Sequence, residues 1–91
     1  MNDQLDEQPV RLAAAYRFQW EEAQQAHVLL YPEGMIKLNG PAGEILKYCD
    51  GTRTENQVIE ALQLQFPGNE DRPDDVRAFL NEARANGWVC R

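Results

Sequence analysis

The chain has 91 residues, of which 43% are hydrophobic and 26% charged, and carries a formal net charge of −6. That is room for one small domain with a thin stability margin, and too little for a large private active-site cavity. The acidity argues against nucleic acid or an anionic membrane surface, since both demand clustered Lys and Arg.

Residues Met1 to Pro9 are polar and acidic, with Asp3, Asp6 and Glu7 around a lone Leu5. They read as a mobile tail ahead of a single domain over residues 10–91. Val10 to Ala15 fits a strand, an arm or a short helix. Tyr16-Arg17-Phe18-Gln19-Trp20 alternates aromatic with polar, the period of a half-buried strand. Glu21 to Gln25 is a polar connection. Ala26 to Tyr31 is apolar on both faces, which marks a central strand covered on both sides. Helices can cover one face; the N-terminal arm or a second copy is expected on the other. Pro32-Glu33-Gly34 then predicts a hairpin through a type II turn, with Gly34 at positive φ. Met35 to Leu38 is the returning strand, with Ile36 and Leu38 on one face and Met35 and Lys37 on the other.

Everything after Asn39 reads as helical. Asn39 or Gly40 caps a first helix that has Pro41 in its first turn. Ala42, Ile45, Leu46 and Cys49 form its apolar stripe, and Gly51 suits the left-handed position beyond its end. Thr54 with Gln57 forms a capping box for a second helix, and Thr52 with Glu55 also fits. Its buried stripe is Val58, Ile59, Leu62 and Phe66, and Pro67-Gly68-Asn69 ends it. A third helix begins near Asp71, buries Val76, Phe79, Leu80 and Ala83, and stops at Asn86-Gly87, after which Trp88-Val89 tuck back on the core. The expected fold is α+β: a winged helix-turn-helix-like domain with an N-terminal three-stranded antiparallel sheet followed by three α-helices.

Cys49 and Cys90 form no CxxC, and His27 is the single histidine, so neither a metal nor a cofactor is expected. Cys49 lies on an apolar helix stripe, Cys90 sits beside the C-terminus, and His27 has no evident carboxylate partner. No catalytic constellation emerges, and the chain reads as a non-enzyme. No apolar run reaches membrane-spanning length, and no secretory signal is visible, so the expected compartment is the cytoplasm. A DNA-binding winged-helix regulator is the alternative. Against it, the third-helix region leads with Glu70, Asp71, Asp74 and Asp75, and carboxylates repel phosphate. A binding module remains. The strand Met35–Leu38 has no later strand to pair with, and an extended peptide can complete such an edge. A groove between that strand and the third helix would be lined by Ile36, Leu38, Val76, Leu80 and Ala83. Lys37, Arg77 and Arg84 would be available to acidic residues of a ligand. The same open edge could also pair with a second copy to give a homodimer.

The run His27-Val28-Leu29-Leu30-Tyr31-Pro32-Glu33-Gly34, with Lys37-Leu38-Asn39, Glu44-Ile45-Leu46, Cys49-Asp50-Gly51, Asp75-Val76, Phe79-Leu80 and Gly87-Trp88, resembles the PqqD family of pyrroloquinoline quinone (PQQ) biosynthesis. The similarity runs from about Pro9 to Val89. It implies a peptide chaperone that binds the precursor PqqA and presents it to PqqE, a radical S-adenosylmethionine enzyme that cross-links a Glu and a Tyr of the precursor. It also implies that the peptide lies as an added strand beside the wing, over the third helix. The peptide-binding residues would then be Gly34, Met35, Ile36, Lys37, Leu38 and Asn39 on the strand, with Asp75, Val76, Arg77, Leu80, Ala83 and Arg84 on the helix.

Overall fold

The computed structural model describes residues 8–66 and 72–90. The expected tail falls mainly on residues 1–7, which lie outside that range, as do the helix stop Pro67-Gly68-Asn69 and the helix start Asp71. In order, the elements are β1 (Pro9–Leu12), β2 (Arg17–Glu21), β3 (Ala26–Tyr31), β4 (Gly34–Lys37), α1 (Gly40–Lys47), β5 (Asp50–Thr54), α2 (Glu55–Gln65), α3 (Arg72–Ala85) and β6 (Val89–Cys90). The fold is α+β, with three helices and two antiparallel three-stranded sheets ordered β2-β3-β4 and β5-β1-β6.

The second sheet corrects the expectation that everything beyond Asn39 is helical. β5, Asp-Gly-Thr-Arg-Thr, has no apolar alternation to announce it, and β6 has two residues. Both are strands because β1 lies between them and pairs with each. Pro9, expected in the tail, already pairs with Thr54. The described part of the arm is thereby paired with β5 and β6.

Local chemistry explains the element ends. Asn39 caps α1, its side chain accepting from the Ala42 N–H at 2.8 Å, with Pro41 in the first turn. The helix closes at Tyr48 in ordinary right-handed geometry. Gly51 therefore does not end it; its φ of +88° instead sits inside β5. There the pairing steps from Pro9↔Thr54 to Arg11↔Asp50, and β5 takes up extra residues. Asp50 opens this strand by accepting from the Thr52 hydroxyl at 2.6 Å and its N–H at 3.1 Å. These bonds hold the Asp50 carboxyl below the ordinary carboxylate range. A group held low in the fold adds stability above its unfolded value and loses it as pH falls through the folded one. Thr52→Val should thus raise the Asp50 pKa, read by carboxyl NMR titration, and lessen the loss of stability on acidification.

Of the two capping boxes the sequence allows for α2, the one formed is Thr54 with Gln57, at 3.2 Å and 2.9 Å. Phe66, expected in the buried stripe, is 39% exposed, because α2 ends at Gln65 and Phe66 leaves helical geometry. The hairpin loop is Pro32-Glu33, closed by Tyr31 opposite Gly34. Among the described residues positive φ occurs at Gln25, Gly51 and Gly87, so Gly34 does not adopt the expected type II geometry. Pro at the second and Gly at the fourth turn position is the residue pattern of a type I turn.

β3 is the central strand of its sheet, and Val28 and Leu29 are both fully buried. Leu29 joins the helix stripes, including Ile45, Leu46, Val58, Ile59 and Leu80, in one core. β3 meets α1 closely at His27. A Cβ on Gly43 would stand 2.8 Å from His27 Nδ1 and 3.3 Å from its Cβ. The ring cannot easily retreat, since it stacks on Phe18 at 4.7 Å and meets Trp20 edge-on at 5.1 Å. Gly43→Ala should therefore destabilise by roughly 1–3 kcal/mol through overpacking, against the ~1 kcal/mol that helix propensity alone would return. Chemical denaturation checks the sign, and His27→Ala in the same chain should relieve the loss.

Candidate functional site: the open edge of β4

Backbone geometry decides which groups β4 offers. The Leu38 N–H donates to the His27 carbonyl at 3.0 Å. Hydrogen-bonded and non-hydrogen-bonded pairs alternate along an antiparallel ladder. With Val28 opposite Lys37, Leu29 opposite Ile36 and Leu30 opposite Met35, Gly34, Ile36 and Leu38 bond inward to β3. Met35 and Lys37 turn their N–H and C=O groups outward. Among the described residues no strand pairs with that side of β4.

The open edge faces α3 across a groove of about 250 Å³. On the helix side, Phe79, Glu82, Ala83 and Asn86 follow the i, i+3, i+4, i+7 spacing of one face. Ile36, Leu38 and Ala42 line the other side. Trp88 closes one end. It is placed there by a Schellman turn in which Gly87, at φ +80°, donates to Arg84 O at 3.0 Å and Trp88 donates to Ala83 O at 2.9 Å. The walls are mixed: Ile36, Leu38, Ala42, Phe79, Ala83 and Trp88 are apolar, and Glu82, Asn86, Asn39 and Lys37 are polar. Neither the Lys37 ammonium nor the Glu82 carboxylate has an ion-pair partner among the described residues.

The structure brings Ile36, Lys37, Leu38, Asn39 and Ala83 of the expected set together here, with Gly34 and Met35 continuing the edge. It places the rest elsewhere. Leu80 is fully buried beneath the groove in the core. Asp75 and Val76 line a different cleft, toward α2. Arg77 and Arg84, expected to be available to a ligand, are held by Glu55 at the start of α2, at 3.4 Å and 2.9 Å. Arg84 also donates to Asn81 at 2.9 Å. Glu55 and Arg84 are each 17% exposed, so this pair ties α3 to α2 from within the fold. Phe79, Glu82, Asn86, Ala42 and Trp88 are groove residues that the sequence reading left out of the site. The spacing from Phe79 to Asn86 was a usable signal, whereas Ala42 and Trp88 arrive only through tertiary packing.

Among the described residues, neither cysteine nor the histidine gathers reactive partners. Burial, with Asp50 adding to it, pushes the Cys49 thiol up to about 12, and its Sγ donates to Ile45 O at 3.4 Å. A thiol held protonated is a poor nucleophile. Among the described residues no cluster of His, Cys, Asp and Glu is placed to hold a metal ion, and no helix is long and apolar enough to cross a membrane.

An open strand edge beside a groove of mixed apolar and polar lining, on a domain this small, defines a recognition module. The chain belongs to the coenzyme PQQ synthesis protein D family, whose sequence profile matches residues 26–89. Similar proteins include the PqqA binding protein of Pseudomonas entomophila, 54% identical over 74 residues and covering 81% of each chain. That of Acinetobacter baylyi is 44% identical over 90 residues, covering 99% of this chain and 90% of its own. Among solved structures, the PqqD portion of Methylobacterium extorquens PqqCD superposes with a TM-score of 0.72 at 26% identity, covering 90% of this chain and 88% of that one. It is described as a stand-alone recognition element for ribosomally synthesised, post-translationally modified peptides. The heterocyclase TruD shares the fold at 19% identity, with a TM-score of 0.67, over 90% of this chain and 11% of its own.

Proposed function

We propose that this protein binds the precursor peptide PqqA as a strand added to β4 and presents it to the radical S-adenosylmethionine enzyme PqqE. The carrying observation is the outward row of Met35 and Lys37 backbone groups beside the groove. The name PqqA binding protein, borne by relatives at 44–54% identity, supports the choice of ligand. Main-chain bonds would supply affinity, and the groove would select the side chains that point into it. A micromolar complex needs about −8 kcal/mol, within reach of a short added strand with a few pocketed side chains. The protein itself would not catalyse. Holding the precursor on a carrier that also docks the enzyme turns a bimolecular encounter into an intramolecular one, worth about mM effective concentration for short links. In this reading residues 10–91 act in the cytoplasm as one winged-helix-like domain, with the β3–β4 hairpin as the wing. The peptide site comprises Gly34–Asn39 with the groove face of α3 about Ala83. A second copy adding to the same edge would compete with PqqA, and affinity would then fall as protein concentration rises through the dimer transition.

The test is an isotope-edited chemical-shift titration with PqqA. The amides of Met35 and Lys37 should shift and gain protection from solvent exchange, with saturation at one peptide per chain. A saturable complex that leaves both amides unprotected would rule out strand addition.

A further inference from the structure

A second cleft, of about 260 Å³, opens where α1, α2 and α3 meet, with Pro41, Ile45, Leu62, Phe66 and Val76 among its walls. It is continuous in sequence with the groove beside β4. On α1 the groove uses Ala42, and the cleft uses its neighbours Pro41 and Ile45. On α3 the groove begins at Phe79, and the cleft uses Val76, one turn earlier. One helical turn is about 5.4 Å, which an extended chain crosses in roughly two residues at ~3.4 Å each.

We infer that this cleft is an extension subsite, and that it takes the residues immediately N-terminal to the peptide segment that adds to β4. The inference rests on strand addition as proposed above. The inference takes the added strand as antiparallel to β4, the sense of every strand pair in both sheets; its N-terminal end then lies beside Lys37–Asn39. The chain preceding it therefore passes Asn39 and Pro41 and arrives at the cleft.

The cleft's own chemistry sets what it takes. Its interior is aliphatic and aromatic, so it receives a bulky apolar side chain. Among the described residues its polar members are Glu44, Gln63 and Asp75. Lys47 lies 3.2 Å from Glu44, an exposed pair one turn along α1.

The experiment compares PqqA with a form shortened to begin at the first residue protected by β4, using the intact protein. Full-length PqqA should bind at least fivefold more tightly and should shift the amides of Leu62, Gln63 and Val76, which the shortened form leaves in place. Gln63→Trp, at an exposed helix position on the cleft rim, should remove that advantage while the shortened form binds within twofold of the unmodified protein. If Gln63→Trp fails to fold, the two peptides on the unmodified chain decide alone. Equal affinities, with Met35 and Lys37 shifting but Leu62 and Gln63 silent, overturn the extension subsite and leave strand addition standing. Silence at Met35 and Lys37 with both peptides overturns both.

Discussion

Lys37→Pro should weaken PqqA binding at least tenfold and leave the domain folded. The Lys37 N–H points away from β3, so the ring removes no internal ladder bond, and proline is tolerated on a strand edge whose N–H faces solvent. A peptide strand loses one bond there, worth about 1 kcal/mol. It also meets the ring where its own backbone should lie, roughly 4.8 Å away. Each 1.4 kcal/mol is about tenfold in Kd. Lys37→Ala keeps the N–H and removes the charge, and should change Kd by less than about threefold if backbone pairing dominates. Ile36 and Leu38 are the wrong places for this test, although both lie on the same strand. Leu38 already donates to His27, the ladder's alternation gives Ile36 the same role, and proline at either would break the hairpin itself. Calorimetric titration with thermal unfolding of each variant separates the two effects. A folded Lys37→Pro protein that binds PqqA as tightly as the unmodified chain would sink the docking mode.

Leu80→Ala should cost about 2–5 kcal/mol of stability, out of the roughly 5–15 kcal/mol typical of a whole domain. Leu80 is fully buried and belongs to the main core. Truncating it removes transferred apolar surface and leaves a cavity between α3 and the rest of the fold. At the upper end of that range the loss would equal the entire stability of a domain at the low end of the typical span. The same substitution separates core from site. Under conditions where the variant remains folded, its affinity for PqqA should lie within a few-fold of the unmodified protein, because Leu80 does not reach the groove. Urea denaturation supplies the first number and titration of the folded fraction the second. A large affinity loss without a stability loss would place Leu80 at the binding surface.

The elements legible in the sequence are those with their own local signal. The aromatic alternation of Phe18 and Trp20, the Pro32-Glu33 loop, the Asn39 cap and the Thr54–Gln57 box each carry a local pattern that survives in the structure. β5 and β6 carry none: Asp-Gly-Thr-Arg-Thr is a strand only because β1 is beside it, and Gly51, a plausible helix stop, serves a bulged pairing instead. The site divides along the same line. The sequence leaves the edge of β4 open because it predicts no later strand. Two later strands exist, but both pair with β1, so among the described residues the edge stays open for a different reason. Ala83 follows from helical spacing. That Arg77 and Arg84 would turn to Glu55, 22 and 29 residues away, depends on how α2 and α3 pack. So does the arrival of Trp88 at the mouth of the groove.

That last placement has a practical consequence. The chain has two tryptophans, and they sit in different surroundings: Trp88 against the groove, Trp20 on β2, the strand at the opposite edge of the sheet from β4. With Trp20 replaced by Phe, the protein would carry a single tryptophan, selectively excitable over its tyrosines, beside its proposed cargo. Occupancy could then be followed optically, in real time and without a label.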